Sequence, residues 1–313
     1  GVAPWDSGST TEEILRNADL AMYRAKAAGR NQVGLYERHL HDTARQRLEI
    51  EAGLRVALDS DGFELHYQPV LDLVEQRTRS VEALLRWRRG DTLVLPTELI
   101  TVAEDTGLIA PIGRWALDRA CADLAAWRRD GLTDLGLSVN VSTAQLRDQD
   151  FPEMVTSVLA RRGVPNHCLT LEITERVLLD GDPQVVLSLQ QLHQRGVSLS
   201  LDDFGTGYAS LSCLRVLPVS SIKIDRTFVA EFGSRSGQLV RGVATLAAYL
   251  GLEVVAEGIE TAEQDEMVRA AGITKGQGFF LASPMPAAEV FDFVAGISPL
   301  SRAAEAGAPD VIP

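Results

Sequence analysis

Val197-Ser198-Leu199-Ser200-Leu201-Asp202-Asp203-Phe204-Gly205-Thr206-Gly207-Tyr208 joins two patterns with different physical demands. Residues 197–201 alternate apolar and small polar side chains, which is the period of a β-strand. Two adjacent carboxylates then close the run, each disfavouring ionisation of the other. Divalent cations would offset that repulsion. Gly205 and Gly207 allow backbone conformations that a Cβ forbids, so the loop can shape itself around a site. Taken alone, the stretch suits an Asx-capped turn before a helix as well as it suits a metal site. The segments on either side decide between the two.

Working outward, strand patterns lie at Phe63–Val70, Arg79–Trp87, Gly136–Val141, Cys168–Thr174, Val197–Asp203, Ser221–Asp225, Leu252–Glu257 and Thr274–Phe280. Helical periodicity fills most gaps, at Ile112–Arg129, Phe151–Arg162, Pro183–Arg195, Gly237–Leu250 and Ala262–Ala271. Such alternation implies parallel strands with crossover helices. Eight strands over about 230 to 250 residues suit a closed α/β barrel better than an open sheet. Only Leu71 to Thr78 join the first two strands, too few residues for a crossover helix, so that pair is expected to run antiparallel. Upstream, Thr11–Ala28 carries helical spacing, Gln32–Tyr36 suits a short strand, and Arg38–Asp59 reads as a charged connecting helix.

The strand ends carry the chemistry. Glu82, Asn140, Glu172, Asp202, Asp203 and Glu257 each interrupt or close an otherwise apolar run, an expensive placement for mere packing. Asn140, Glu172 and Asp202 follow one another at the spacing of a βα unit, roughly 30 residues. Equivalent points on successive barrel strands converge on one mouth. Six oxygen-bearing side chains without His or Cys point to hard cations, Mg²⁺ or Mn²⁺, and not to zinc. Two such cations serve in-line displacement at phosphorus.

Composition sets the outer bounds. The 313 residues carry a formal net charge of −13, which argues against a nucleic-acid polymer as partner. Metals held by carboxylates can still bring positive charge to a small phosphate ligand. Cys121, Cys168 and Cys213 are widely spaced and read as reduced packing residues of a cytoplasmic protein. No run reaches the roughly 18–20 apolar residues of a membrane span. The chain opens at Gly1 with no signal-peptide pattern and is expected to be a piece of a longer parent, in whose remainder any membrane anchor would lie.

These residues resemble the EAL domain, the cyclic di-GMP phosphodiesterases of bacterial signalling. The resemblance rests on Tyr67-Gln68-Pro69, Glu82-Ala83-Leu84 with Arg86-Trp87, Asn140, Glu172 with Glu175, and Asp202 through Gly207. It continues through Lys223-Ile224-Asp225, Glu257-Gly258 with Glu260, and Gln277-Gly278, covering about Leu48 to Val294 in order. It implies a TIM-like (β/α)8 barrel with one antiparallel strand, at residues 48–298, after a linker helix at 38–47 and before a disordered tail at 299–313. Asn17 to Lys26 and Gly29-Arg30-Asn31 look like the closing part of a GGDEF (diguanylate cyclase) domain, with a remnant at 1–37 and the rest of that domain upstream in the parent.

The resemblance also assigns roles. Glu82, Asn140, Glu172 and Asp202 would hold one cation, and Asp202, Asp203 and Glu257 the second. Ca²⁺ is expected to inhibit. Lys223 would orient the attacking water and stabilise the transition state, with Asp203 and Asp225 as possible ion partners. Gln68, Arg86 and Gln277 would meet the substrate. Glu175 would order the Gly205-Thr206-Gly207 loop, which links the site to the surface of a homodimer formed through the barrel. The product would be linear pGpG. A receptor that binds cyclic di-GMP without cutting it is the alternative, and a barrel enzyme acting on carbon acids is a remote third. Departures are mild: Ala209 stands where serine is common, Phe279 where tyrosine is common, and the Trp87–Pro96 loop looks short.

Overall fold

A computed structural model describes residues 2–4, 10–27, 33, 38–90, 92–94, 96–175, 177, 181–205, 217–230 and 235–297. The chain divides into two compact units, Gly1–Val56 and Ala57–Pro313. In the first, helix α1 (Thr11–Ala27) opens on a capping box. The Thr10 N–H donates to Glu13 Oε2 at 2.9 Å, and the Glu13 N–H donates to Thr10 Oγ1 at 3.3 Å. The expected strand at Gln32–Tyr36 lies, apart from Val33, outside the described residues, as does the expected tail at 299–313. Helix α2 (Arg38–Leu58) runs without a break through the expected boundary at 47/48.

The second unit contains the barrel. Strands β1 (Phe63–Asp72) and β2 (Arg77–Arg89) form a long antiparallel hairpin. Its turn is fixed by Asp72, whose Oδ1 accepts the N–H groups of Val74 and Glu75 at 3.0 and 2.9 Å. Strand β3 (Thr92–Val94) folds back on β2, so the short loop noted in the sequence is a second hairpin. Helices α3 (Pro96–Thr106) and α4 (Ile109–Arg129) lead to β4 (Gly136–Asn140). There follow α5 (Thr143–Leu146), α6 (Phe151–Arg162), β5 (Leu169–Thr174), α7 (Pro183–Gln194) and β6 (Ser198–Phe204). The barrel continues with β7 (Ser221–Ile224), α8 (Arg226–Ala230), α9 (Arg235–Leu250), β8 (Glu253–Ala256), α10 (Ala262–Ala270) and β9 (Lys275–Gly276). Strand β10 (Met285–Pro286) and helix α11 (Ala287–Val294) finish it.

Strands β2, β4, β5, β6, β7, β8 and β9 run parallel in that order, and β1 closes the ring antiparallel to both β2 and β9. The antiparallel irregularity expected from the short first connection is therefore present. The main core lies between strands and helices. Leu137, Leu169, Leu171, Leu199 and Leu201 pack in one cluster with Leu124 of α4, Leu159 of α6 and Leu192 of α7. Each such leucine contributes about 1.5–3 kcal/mol relative to exposure. Cys121 and Cys168 are free and buried in this layer, and burial pushes the Cys121 thiol up to about 12; Cys213 lies outside the described residues. No described helix is long and apolar enough to cross a membrane.

Seven expected strands match observed ones to within two residues, but Thr274–Phe280 shrinks to Lys275–Gly276. Backbone proximity is the reason. The Gln277 N–H still donates to Ala256 O at 2.8 Å, and the Ile259 N–H donates to Gln277 O at 3.1 Å. At Gly278 the chain then presses against the backbone of Ile259, where a Cβ would stand 2.2 Å from the carbonyl oxygen and 2.3 Å from the nitrogen. Backbone on backbone cannot yield as a side-chain tip can. Gly278→Ala is expected to cost stability at or beyond the upper end of roughly 1–3 kcal/mol, read as a lower urea midpoint at unchanged slope; an unchanged midpoint would refute the contact.

Candidate active site

Because neighbours in register share a face of the sheet, the barrel lines up Gln68 with Glu82 and Asn140 with Glu172. Thr174 lines up with Asp202. Strict alternation would turn Asp203 away from Asp202. A register shift between Leu201 and Phe204 breaks the alternation, and Asp203 takes a positive φ of 55°. That bulge is the local device that lets consecutive carboxylates serve one site. Carboxylate oxygens of Asp202, Asp203 and Glu257 all lie within 4.8 Å of one another.

Lys223 sits at the centre of the acids, with 2% of its side chain exposed. Its Nζ lies 2.6 Å from Glu257 Oε1, 2.8 Å from Glu172 Oε2, 3.0 Å from Glu82 Oε2 and 3.7 Å from Asp202 Oδ1. The partners suggested by the sequence, Asp203 and Asp225, are not among these ion pairs. Strand β7 directs Lys223 across the barrel lumen toward β2 and β5, a direction that neighbouring sequence positions do not reveal.

Glu82 is the best-satisfied acid. Asn140 Nδ2 donates to its Oε1 at 2.7 Å, and Gln277 Nε2 and Lys223 Nζ donate to its Oε2 at 2.8 and 3.0 Å. Burial pushes the Glu82 carboxyl up, but the Lys223 charge and these hydrogen bonds outweigh it and hold the group below its ordinary range. The other acids lack that compensation. Burial first, then the charge of Glu82, pushes Glu172 well above the usual range despite Lys223. Burial also raises Asp202 against the pull of Lys223. Asp203 is raised by burial and then by Asp202. Glu257 reaches about 7, chiefly through burial, with Lys223 opposing. Lys223 itself is held well above its ordinary value, because the surrounding carboxylates overcome its burial.

One ammonium thus serves a cluster of five carboxylates, four of them its ion partners, and most of the five resist ionisation for want of positive charge. That donor set fits hard divalent cations. Asp202, Asp203 and Glu257 could hold one. Glu82, Asn140 and Glu172, joined by Asp202, could hold another; here Lys223 stands between the three carboxylates and Asn140 bonds Glu82 directly. The Asn140 amide, donating through Nδ2, keeps Oδ1 as its ligand atom.

Gln68 and Gln277 form a chain behind the acids. Gln68 Nε2 donates to Ala282 O at 3.1 Å, and Gln277 Nε2 donates to Gln68 Oε1 at 3.0 Å as well as to Glu82. Arg86 is buried, with Nη1 donating to Leu85 O at 2.9 Å. No carboxylate forms an ion pair with it among the described residues. Burial lowers its pKa, opposed by the charges of Glu64 and Glu82. Such a guanidinium suits an incoming anion. Glu175 is buried and its Oε2 accepts the Gly205 N–H at 3.1 Å, so the loop tether exists at its first residue. Thr206 and Gly207 lie outside the described residues.

The acids open into a cavity of about 300 Å³, whose wall includes Gln68, Asp203, Arg226, Glu260 and Phe279. Phe279 is 64% exposed at its edge. Arg226 was not singled out by sequence spacing. The signal was its place directly after the β7 strand end, opposite Gly258, where a Cβ would stand 2.3 Å from the Arg226 Cβ.

Residues 51–284 match the family model described as the EAL domain. The chain belongs to the EAL domain family. It is 39% identical over 92% of its length to the bifunctional diguanylate cyclase/cyclic di-GMP phosphodiesterase MucR of Pseudomonas aeruginosa, covering 42% of that protein. It is 38% identical over 90% of its length to the cyclic di-GMP phosphodiesterase PdeR of Escherichia coli K12, covering 43% of it. The chain therefore spans less than half the length of these relatives. Among solved EAL structures, the MucR phosphodiesterase in complex with c-di-GMP superposes with a TM-score of 0.74 at 38% identity, covering 77% of this chain and 99% of that one. The expected fold, a TIM-like barrel with one antiparallel strand, is the fold of this EAL domain.

Proposed function

We propose that this EAL domain hydrolyses one phosphodiester of cyclic di-GMP to give linear pGpG. The observation that carries the reading is the set of four strand-end carboxylates around Lys223 in an EAL barrel, with Asn140 on Glu82 and Asp203 beside Asp202 and Glu257. The names of its relatives support the substrate. Water oxygen bonds to phosphorus, a P–O3′ bond breaks, and the departing ribose oxygen takes a proton. Glu82, Asn140, Glu172 and Asp202 would hold one cation, and Asp202, Asp203 and Glu257 the other. Bound Mg²⁺ or Mn²⁺ supplies Lewis acidity at the phosphodiester and increases the acidity of water.

The chain's own residues do the rest. Lys223 orients the water and places positive charge where charge develops on the transferring phosphoryl oxygens. Arg86 holds a non-bridging oxygen through its guanidinium fork. Gln277 and Gln68 meet the substrate and keep Glu82 from rotating. Glu175 holds Gly205, and through it the loop of Thr206 and Gly207.

A chromatographic assay tests the reading: pGpG is expected with Mg²⁺ or Mn²⁺, and little with Ca²⁺ or EDTA. Tight binding with no pGpG under any metal would instead make the domain a receptor. Cations should also stabilise the fold by relieving the carboxylate repulsion. At about a hundredfold excess over Kd, mass action gives about 2.7 kcal/mol, or a Tm rise of about 4–5 °C for a chain of this size. EDTA should reverse it, and a metal-independent Tm would count against the ligand set.

The remaining parts of the reading concern the parent protein. Residues 1–37 are proposed as the end of a GGDEF domain, 38–47 as linker and 48–298 as the phosphodiesterase barrel, in a cytoplasmic setting. The proposed homodimer has a candidate surface on α9, where Leu239, Tyr249 and Leu250 are 51%, 86% and 47% exposed. Leu239→Lys with Tyr249→Lys is expected to shift a dimer to monomer in analytical ultracentrifugation.

A further inference from the structure

The barrel lumen beneath the carboxylates is lined by hydroxyls and not by the bulky branched side chains that usually fill such layers. Register shows which residues face inward. Ser138 pairs with Glu82, Ser200 with Glu172, and Ser221 with Ser200, so all three share the lumen face with the acids. One step nearer the strand starts, Ser80 pairs with Gly136, Ser138 with Thr170, and Thr170 with Ser198. Val70 and Val255 fill the opposite wall. Ser80, Gly136, Thr170 and Ser198 are half-buried, whereas the residues between them that face the helices, Leu137, Leu169 and Leu199, are at most 1% exposed. The end of the lumen opposite the substrate cavity is thus rimmed by half-buried small residues, beside the Lys275–Glu253 ion pair at 2.6 Å on the same face.

A second observation points to what occupies it. Ser200 is 2% exposed, and its Oγ has no hydrogen-bond partner among the described residues. A dry, unpaired hydroxyl at that depth is costly, and ordered water is the usual remedy where several polar groups converge. We propose that Ser138, Ser200 and Ser221 bind ordered water directly beneath Glu82 and Glu172, and that this water exchanges with bulk through the Ser80–Thr170–Ser198 end of the barrel. The active site would then have a solvent entrance that nucleotide at the mouth leaves open.

The test uses the whole chain without nucleotide, followed by oxygen-17 relaxation dispersion of water and by thermal melting. Long-lived internal water is expected. Ser200→Ala should remove at least one such water and lower Tm, and Ser221→Ala should do the same if Ser200→Ala fails to fold. Unchanged dispersion with a raised Tm would mean a dry orphan hydroxyl has been deleted, and would overturn the site. Ser198→Phe, which narrows the far end, should lengthen the residence time of the remaining water about tenfold. An unchanged residence time would place the exit at the substrate mouth and overturn the second entrance.

Discussion

Lys223→Met should melt well below the native protein in EDTA, regain part of that loss with Mg²⁺, and hydrolyse about 10²–10³-fold more slowly than native. The ammonium stands 2.6–3.7 Å from four carboxylates, and three of those distances are hydrogen bonds' length. Methionine fills similar space but returns no charge. Breaking a buried ion pair from one side typically costs 3–5 kcal/mol, because the abandoned charge stays buried. Here several acids lose one partner, and they adapt by binding protons, so the loss should be smaller at low pH than at high pH. Divalent cations supply the missing charge to the same oxygens, hence the partial recovery. They cannot supply the donor aimed at the transferring phosphoryl group, whose loss is worth about 10²–10³ in rate. Melting curves with and without metal, beside single-turnover rates, separate the two effects. A variant that melts like the native protein in EDTA would show that Lys223 does not neutralise the acids.

Glu82→Ala is expected to abolish hydrolysis nearly completely, with a stability cost smaller than that of Lys223→Met. Three donors converge on this carboxylate, from Asn140, Gln277 and Lys223. Removing it takes an acceptor from Lys223, from the exposed Asn140 amide and from the Gln277 amide, which keeps Gln68 Oε1 as a partner, so the cost falls toward the lower end of about 1–3 kcal/mol for a lost buried partner. It also relieves repulsion on Glu172, for which Glu82 is the leading opposing charge. The two changes partly cancel in stability but not in function, since one cation ligand is gone. Glu82→Gln is no gentle control, because its NH₂ would face a donor. Turnover of cyclic di-GMP with Mn²⁺ decides the matter: a rate within tenfold of native would remove Glu82 from the ligand set.

Much of this geometry is legible in the sequence because barrels map sequence spacing onto space. Residues about one βα unit apart return to the same rim, so Asn140, Glu172 and Asp202 announce a shared mouth before any coordinates exist. The brief first connection similarly announces the antiparallel β1. What spacing does not carry is direction across the lumen. Lys223 was as compatible with Asp203 or Asp225, its near neighbours, as with Glu82 and Glu172, which lie 141 and 51 positions away. The end of β9 is equally hidden, because Gly278 leaves the strand through a close approach to Ile259, a long-range contact with no local signature. Hairpin β2–β3 and helix α3 were missed for a different reason: they occupy a segment too short and mixed in character to show a period.

The register shift at Leu201–Phe204 makes the site sensitive to chain length as well as to residue identity. Deleting one residue within that shift would restore a regular pleat and leave every ligand type in the chain, yet would swing one aspartate out of phase with the other acids. A sequence can therefore keep all its acids and still lose the site by a single-residue frame change in β6. In comparing EAL chains, the count of residues between the β6 alternation and Gly205 carries as much information about competence as the letters themselves.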